Sequence, residues 1–136
     1  MALTKIKLDI LSAGLGNVYR GFEISATVWH HELLKSKNLS TRLLSGGSVK
    51  ASKSVFCIGR TSKWSQFLKR LKLLNDGVKL EQFSFALGVA MVYLINKPDV
   101  VWTQEITVAR TLKKIRKTLG LDFKIIFCDG APVGYA

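Results

Sequence analysis

Four short stretches hold residue types that do chemistry at strand ends. Asp129-Gly130-Ala131-Pro132 follows the apolar run Lys124 to Cys128, so a carboxylate stands just past a buried strand. There it can face a ligand, or bond its own turn backbone as aspartates before glycine commonly do. Gly14-Leu15-Gly16 follows another apolar run, Ile6 to Ser12. Glycines allow a sharp turn and a close backbone approach. A helix starting beyond them aims unpaired N–H groups and a positive dipole end at the turn, which suits a phosphate; a plain strand-to-helix turn is the other reading. Arg20 and Glu23 sit in that first helical turn. They form a surface charge pair, or Arg20 offers its planar fork to a ligand phosphate or carboxylate. Gln104 and Glu105 close a fourth apolar run, Asp99 to Thr103.

Several chemistries are argued down. A dinucleotide fingerprint needs a third glycine where Tyr19 stands, and an acid where the second strand ends in Ser45-Gly46-Gly47. No Gly-Lys-Ser or Gly-Lys-Thr exists for an ATPase-type phosphate loop. His30 and His31 are adjacent and point to different helix faces, so they make no metal pair and read as solvated. Cys57 and Cys128 lie in apolar runs without CxxC spacing and read as buried thiols of a reducing compartment, hence a cytoplasmic protein. No metal or cofactor is expected.

Helices and strands alternate around these residues. Phe22, Ala26, Trp29 and Leu33 predict a helix from about Arg20 to Lys37 with one apolar stripe. Thr41 to Leu44 and Ser54 to Ile58 read as strands. Ser62 opens a helix whose Trp64, Phe67, Leu68, Leu71 and Leu74 share a face. Leu80 to Ile95 is apolar all round after Ser84, too short to span a membrane, and reads as a buried helix. Ile106 to Leu119, closed by Gly120, is the last helix. The alternation predicts an α/β fold: a parallel sheet of about five strands with helices on both faces. In such sheets ligands sit beyond the strand carboxyl ends, where Gly14, Gly16, Gln104, Glu105 and Asp129 all fall. The sequence stops shortly after a strand, with no closing helix, so the domain is expected to be truncated at its C-terminus.

The chain of 136 residues carries 21 Lys and Arg against nine Asp and Glu, a formal charge of +12. That favours an anionic partner: nucleic acid, a membrane surface or a phosphorylated small molecule. Nucleic acid fits least, since no recognised module matches. The helix around Trp64 is either a core helix or one lying on an anionic bilayer, with Trp64 dipping in and Lys69, Arg70 and Lys72 above.

Taken together, three segments resemble the amino-terminal half of a GT-B glycosyltransferase of the family 4 type. They are Ile10 to Gly16 with Arg20 to Glu23; Lys97-Pro98-Asp99-Val100-Val101-Trp102-Thr103-Gln104; and Phe127 to Pro132. The resemblance implies a single Rossmann-like domain over 1–136, the acceptor-side half of a two-domain enzyme. It implies sugar transfer from a nucleotide-sugar to a glycan or lipid acceptor, with retention and without metal, at the inner membrane face. It places Gly14-Leu15-Gly16 near the donor phosphates and Asp129 where many relatives carry a catalytic His or Asp; Arg20, Glu23, Gln104 and Glu105 join them by position as expected donor- and acceptor-binding residues. The donor-gripping second domain of that family is absent from this sequence, so the chain by itself is expected to be inactive. The other reading is a non-catalytic basic module that binds membrane or nucleic acid.

Overall fold

The computed structural model describes residues 4–16, 21–49, 52–59, 63–71 and 77–128. Its centre is β1 (Ile6–Ser12), whose last five residues are buried. Burial on both faces fits the adjacent apolar residues Ile10 and Leu11, which point to opposite sides of the sheet; Asp9 is a buried charge among them. Parallel to it lie β2 (Leu39–Ser45) on one side and β4 (Val100–Thr103) on the other. A two-residue β3 (Lys53–Ser54) extends the sheet beyond β2, and β5 (Lys124–Phe127) beyond β4. The order is β3-β2-β1-β4-β5, all parallel, which is a Rossmann-like α/β arrangement.

Alternate residues of each strand feed two cores. Ile10 and Leu43 pack with Leu15 and with Ala26 of α1 (Gly21–Leu33). On the other face Leu11, Leu44 and Val101 pack under Phe85 and Val89 of α3 (Gly77–Tyr93) and Val108 and Leu112 of α4 (Ile106–Leu119). Helix α2 (Lys63–Arg70) packs beside α3. Gly120 ends α4 in a left-handed turn, φ 67°, with its N–H donating to the Arg116 carbonyl. Arg116 then staples the helix end to the strand that follows: its Nη1 donates to the Phe123 carbonyl at 2.9 Å and its guanidinium lies 5.9 Å from that ring's centre.

Three expectations about faces and extents need correcting. In α1 the buried residues are Glu23, Ala26 and His30, while Trp29 is 52% exposed. Trp29 leans on Trp102 instead, ring centres 6.2 Å apart, so the helix is rotated from the expected stripe and His30 is not a solvated residue. Helix α3 is buried on one side only: Phe83, Leu87 and Met91 are exposed, as are Leu94 and Ile95 just beyond it. In α2, for which the sequence leaves a core face and a bilayer face both open, Trp64 and Phe67 are exposed. The third strand pairs only at Lys53 and Ser54, because beyond Val55, whose N–H still donates to the Ser45 carbonyl at 2.9 Å, the chain leaves the sheet to pass close to α3; the Ile58 N–H donates to Ser84 Oγ at 2.8 Å.

Candidate functional site at the carboxyl end of the sheet

Parallel strands deliver their following residues to one edge of the sheet, and here that edge gathers Gly14, Leu15, Gly16, Gln104 and Glu105. After β1 the chain turns through Ala13, Gly14 and Leu15, all buried, to Gly16 at φ 89°. The region is left-handed and favours glycine. The close approach that Gly16 permits is made by the protein itself: a Cβ there would fall 2.6 Å from the Gly47 carbonyl carbon. Gly47 donates its N–H to the Leu15 carbonyl at 2.8 Å, and Gly46 to Ser12 at 3.3 Å. The loop after β2 therefore stacks on the loop after β1. Ser45 Oγ lies 2.6 Å from the Gly47 carbonyl and 2.7 Å from Ser52 Oγ, holding the second loop in shape.

At the end of β4, Thr103 Oγ1 accepts the Glu105 N–H at 3.1 Å. Glu105 is the N-cap residue of α4, yet its side chain makes no cap bond. Its carboxylate reaches across the sheet edge and accepts the Ala13 N–H at 2.5 Å. Glu105 is 2% exposed. One acid thus clamps the first glycine turn to the start of the last helix, and places negative charge where the helix dipole is positive.

Between these elements lies a crevice of about 220 Å³, lined by Phe22, Gln82, Gln104, Glu105, Ile106 and Phe127. Gln82 Oε1 accepts the Thr107 N–H at 3.3 Å, which fixes that amide. Gln104 Oε1 is buried and finds no donor among the described residues. Ser12 Oγ, 2% exposed at the end of β1, is in the same condition. A buried acceptor without a donor costs about 1–3 kcal/mol, and a ligand hydroxyl would relieve it. Phe22 and Phe127 supply apolar faces, so the lining suits a hydroxyl-bearing ring with one apolar side. Among the described residues no group of three His, Cys, Asp or Glu side chains is placed to hold a metal ion.

The crevice brings Gln104 and Glu105 together with the first turn of α1; Glu23, one residue after Phe22, is fully buried there. Gly14, Leu15 and Gly16 stand on the adjoining loop. Arg20 and Asp129 lie outside the described residues, as does Lys72. Asp129 follows Cys128, whose N–H donates to the Thr103 carbonyl at 3.0 Å and so keeps the chain alongside β4 up to that point. Trp64, Lys69 and Arg70 are exposed on α2, distinct from the crevice lining. Phe22, Gln82 and Phe127 were not singled out by sequence reasoning for the crevice. Gln82 carried no signal, being one of several polar residues, with Lys79, Glu81 and Ser84, in the first turns of α3.

A second cleft, about 130 Å³, opens at the opposite end of the strands beside Lys7, Asp9, Arg42 and Lys97. Its central cation is already engaged. Arg42 Nε and Nη2 donate to the two Asp9 oxygens at 2.9 and 2.6 Å, and Asp9 is 2% exposed. The Asp9 contact raises the Arg42 pKa, and burial followed by the Asp9 charge pushes the Tyr93 hydroxyl far above its ordinary range. This is a structural ion pair holding the strand ends.

Comparison with protein-family models, with curated proteins and with solved structures finds no match. No helix of the described residues is long and apolar enough to cross a membrane.

Proposed function

We propose that the chain is the acceptor-side domain of a GT-B-type glycosyltransferase, moving a sugar from a nucleotide-sugar to a glycan or lipid acceptor. One observation carries the reading. The described parts of the segments that resemble that family end at the same edge of the sheet, and the carboxylate of Glu105, one residue beyond the second segment, accepts the Ala13 N–H of the first. The buried Gln104 oxygen in the crevice, without a donor among the described residues, adds to it, since a sugar hydroxyl can donate to such an acceptor.

In this account the glycine turn Gly14-Leu15-Gly16, with Arg20 beyond it, faces the donor phosphates. Losing a nucleoside diphosphate builds negative charge on the leaving oxygen and positive character on the sugar ring. Fixed N–H groups and a cation stabilise the first, and a carboxylate beside the ring the second. Asp129 is assigned that second part. Activity then belongs to this domain together with a donor-gripping one, whose closure excludes water and strengthens both interactions. The protein works at the cytoplasmic membrane face, with neither metal nor organic cofactor.

The test is sugar transfer by an enzyme carrying this domain, against a panel of nucleotide-sugars. Asp129→Asn keeps shape and turn bonding but loses the charge, so turnover falls by about 10²–10³ with folding unchanged. Full turnover in that variant would make Asp129 a turn residue. A non-catalytic basic module is the second reading, favoured by the run of cations in α4. Binding to anionic vesicles with no nucleotide-sugar affinity anywhere would select it.

A further inference from the structure

Helix α3 has two apolar faces, and only one of them is used. Phe85, Val89 and Tyr93 are buried against the sheet. On the outer side Phe83, Leu87 and Met91 recur every four residues, continued by Leu94 and Ile95. Met91 is 65% exposed, Leu94 63% and Ile95 92%. Beside this stripe an apolar groove of about 440 Å³ runs between α3 and α4, lined by Met91, Leu94, Ile115 and Leu119, with Lys114 among them. A contiguous apolar strip of this kind marks a contact surface.

The charge around it is one-sided. Helices α2, α3 and α4 together carry nine Lys and Arg and one acid, Glu81, which is fully buried. Helix α1, on the opposite face of the sheet, has two acids and no Lys or Arg. Among the described helices, the Lys and Arg residues therefore all lie on the layer that holds the bare apolar stripe.

We propose that the outer face of α3 and α4 docks on an anionic lipid bilayer, the α3 stripe entering the headgroup–acyl boundary and Arg110, Lys113, Lys114 and Lys117 meeting lipid phosphates. The combination selects this partner. Nucleic acid would satisfy the cations and leave five large apolar side chains in water. A second copy placed symmetrically would set this basic layer against itself. An anionic bilayer takes both the apolar stripe and the charge. The surface is distinct from the Trp64 helix considered in the sequence, although α2 adjoins it, and it stands whether or not the domain transfers sugar.

Co-sedimentation of the full chain with phosphatidylserine–phosphatidylcholine vesicles tests this, with phosphatidylcholine vesicles as the uncharged arm. Binding should require phosphatidylserine and weaken with salt. Lys113→Glu with Lys114→Glu and Lys117→Glu should lower partitioning about a hundredfold or more. Met91→Asn with Leu94→Asn should weaken it at constant charge, and circular dichroism should remain unchanged because both side chains are exposed. Lys69→Glu with Arg70→Glu should have the smaller effect. Three results would overturn the proposal: no binding to the anionic vesicles, loss only with the α2 reversals, or a dimer in sedimentation that Met91→Asn with Leu94→Asn dissociates.

Discussion

Asp9 sits inside the sheet because Arg42 meets both of its oxygens. Removing one partner of such a pair strands the other charge, so Arg42→Met should cost about 3–5 kcal/mol, read from urea unfolding. Replacing Asp9 and Arg42 together by apolar residues should cost less than the single change. His30 behaves differently. It is 6% exposed, and burial followed by the neighbouring His31 lowers its pKa from the ordinary 6.5. The unfolded chain then takes up the proton first, so stability from this group is complete above pH 6.5 and is lost as pH falls toward the lowered value. Unfolding followed against pH should show that slope, and His30→Gln should remove it. Glu105→Gln keeps the shape of the clamp on Ala13 but weakens a charge-assisted bond, and should cost about 1–2 kcal/mol.

At the scale of elements, the two glycine loops behave as one piece. A Cβ on Gly47 would meet the Gly16 carbonyl carbon at 2.5 Å, so Gly47→Ala must push the loops apart. The expected loss is about 1–3 kcal/mol, measured by denaturant midpoint, with loosened amide exchange at Leu15 as the local sign. This pairing also marks where sequence reasoning stops. Gly14 to Gly16 announces a tight turn, but nothing in one sequence says that the close neighbour is Gly47. The helices and strands were legible from period and from stop signals such as Gly120. Their faces were less so. Periodicity cannot orient α3, which is apolar on every side, nor foresee that Trp29 would rest on Trp102 and leave His30 in the core. That Gln104 and Glu105 stand near the glycine turn was legible because a parallel sheet puts strand-end residues on one edge. The clamp from Glu105 to Ala13 was not, since it joins residues 92 positions apart.

For the whole molecule, the parallel order β3-β2-β1-β4-β5 puts the glycine turn, Gln104 and Glu105 at one end of the sheet and the cleft beside the Asp9–Arg42 pair at the other. The account assigns donor phosphates and sugar to the first end. It expects negligible transferase turnover from this chain without a donor-gripping domain, and binding at the crevice all the same. The direct measurement is therefore a ¹⁵N amide titration of this chain with a panel of nucleotide-sugars. The account predicts shifts clustered at Gly14, Leu15, Gly16, Phe22, Gln104 and Glu105, reduced by Gln104→Ala. Saturating shifts around Lys7, Arg42 and Lys97 instead, or none at the glycine turn with any donor, would contradict it.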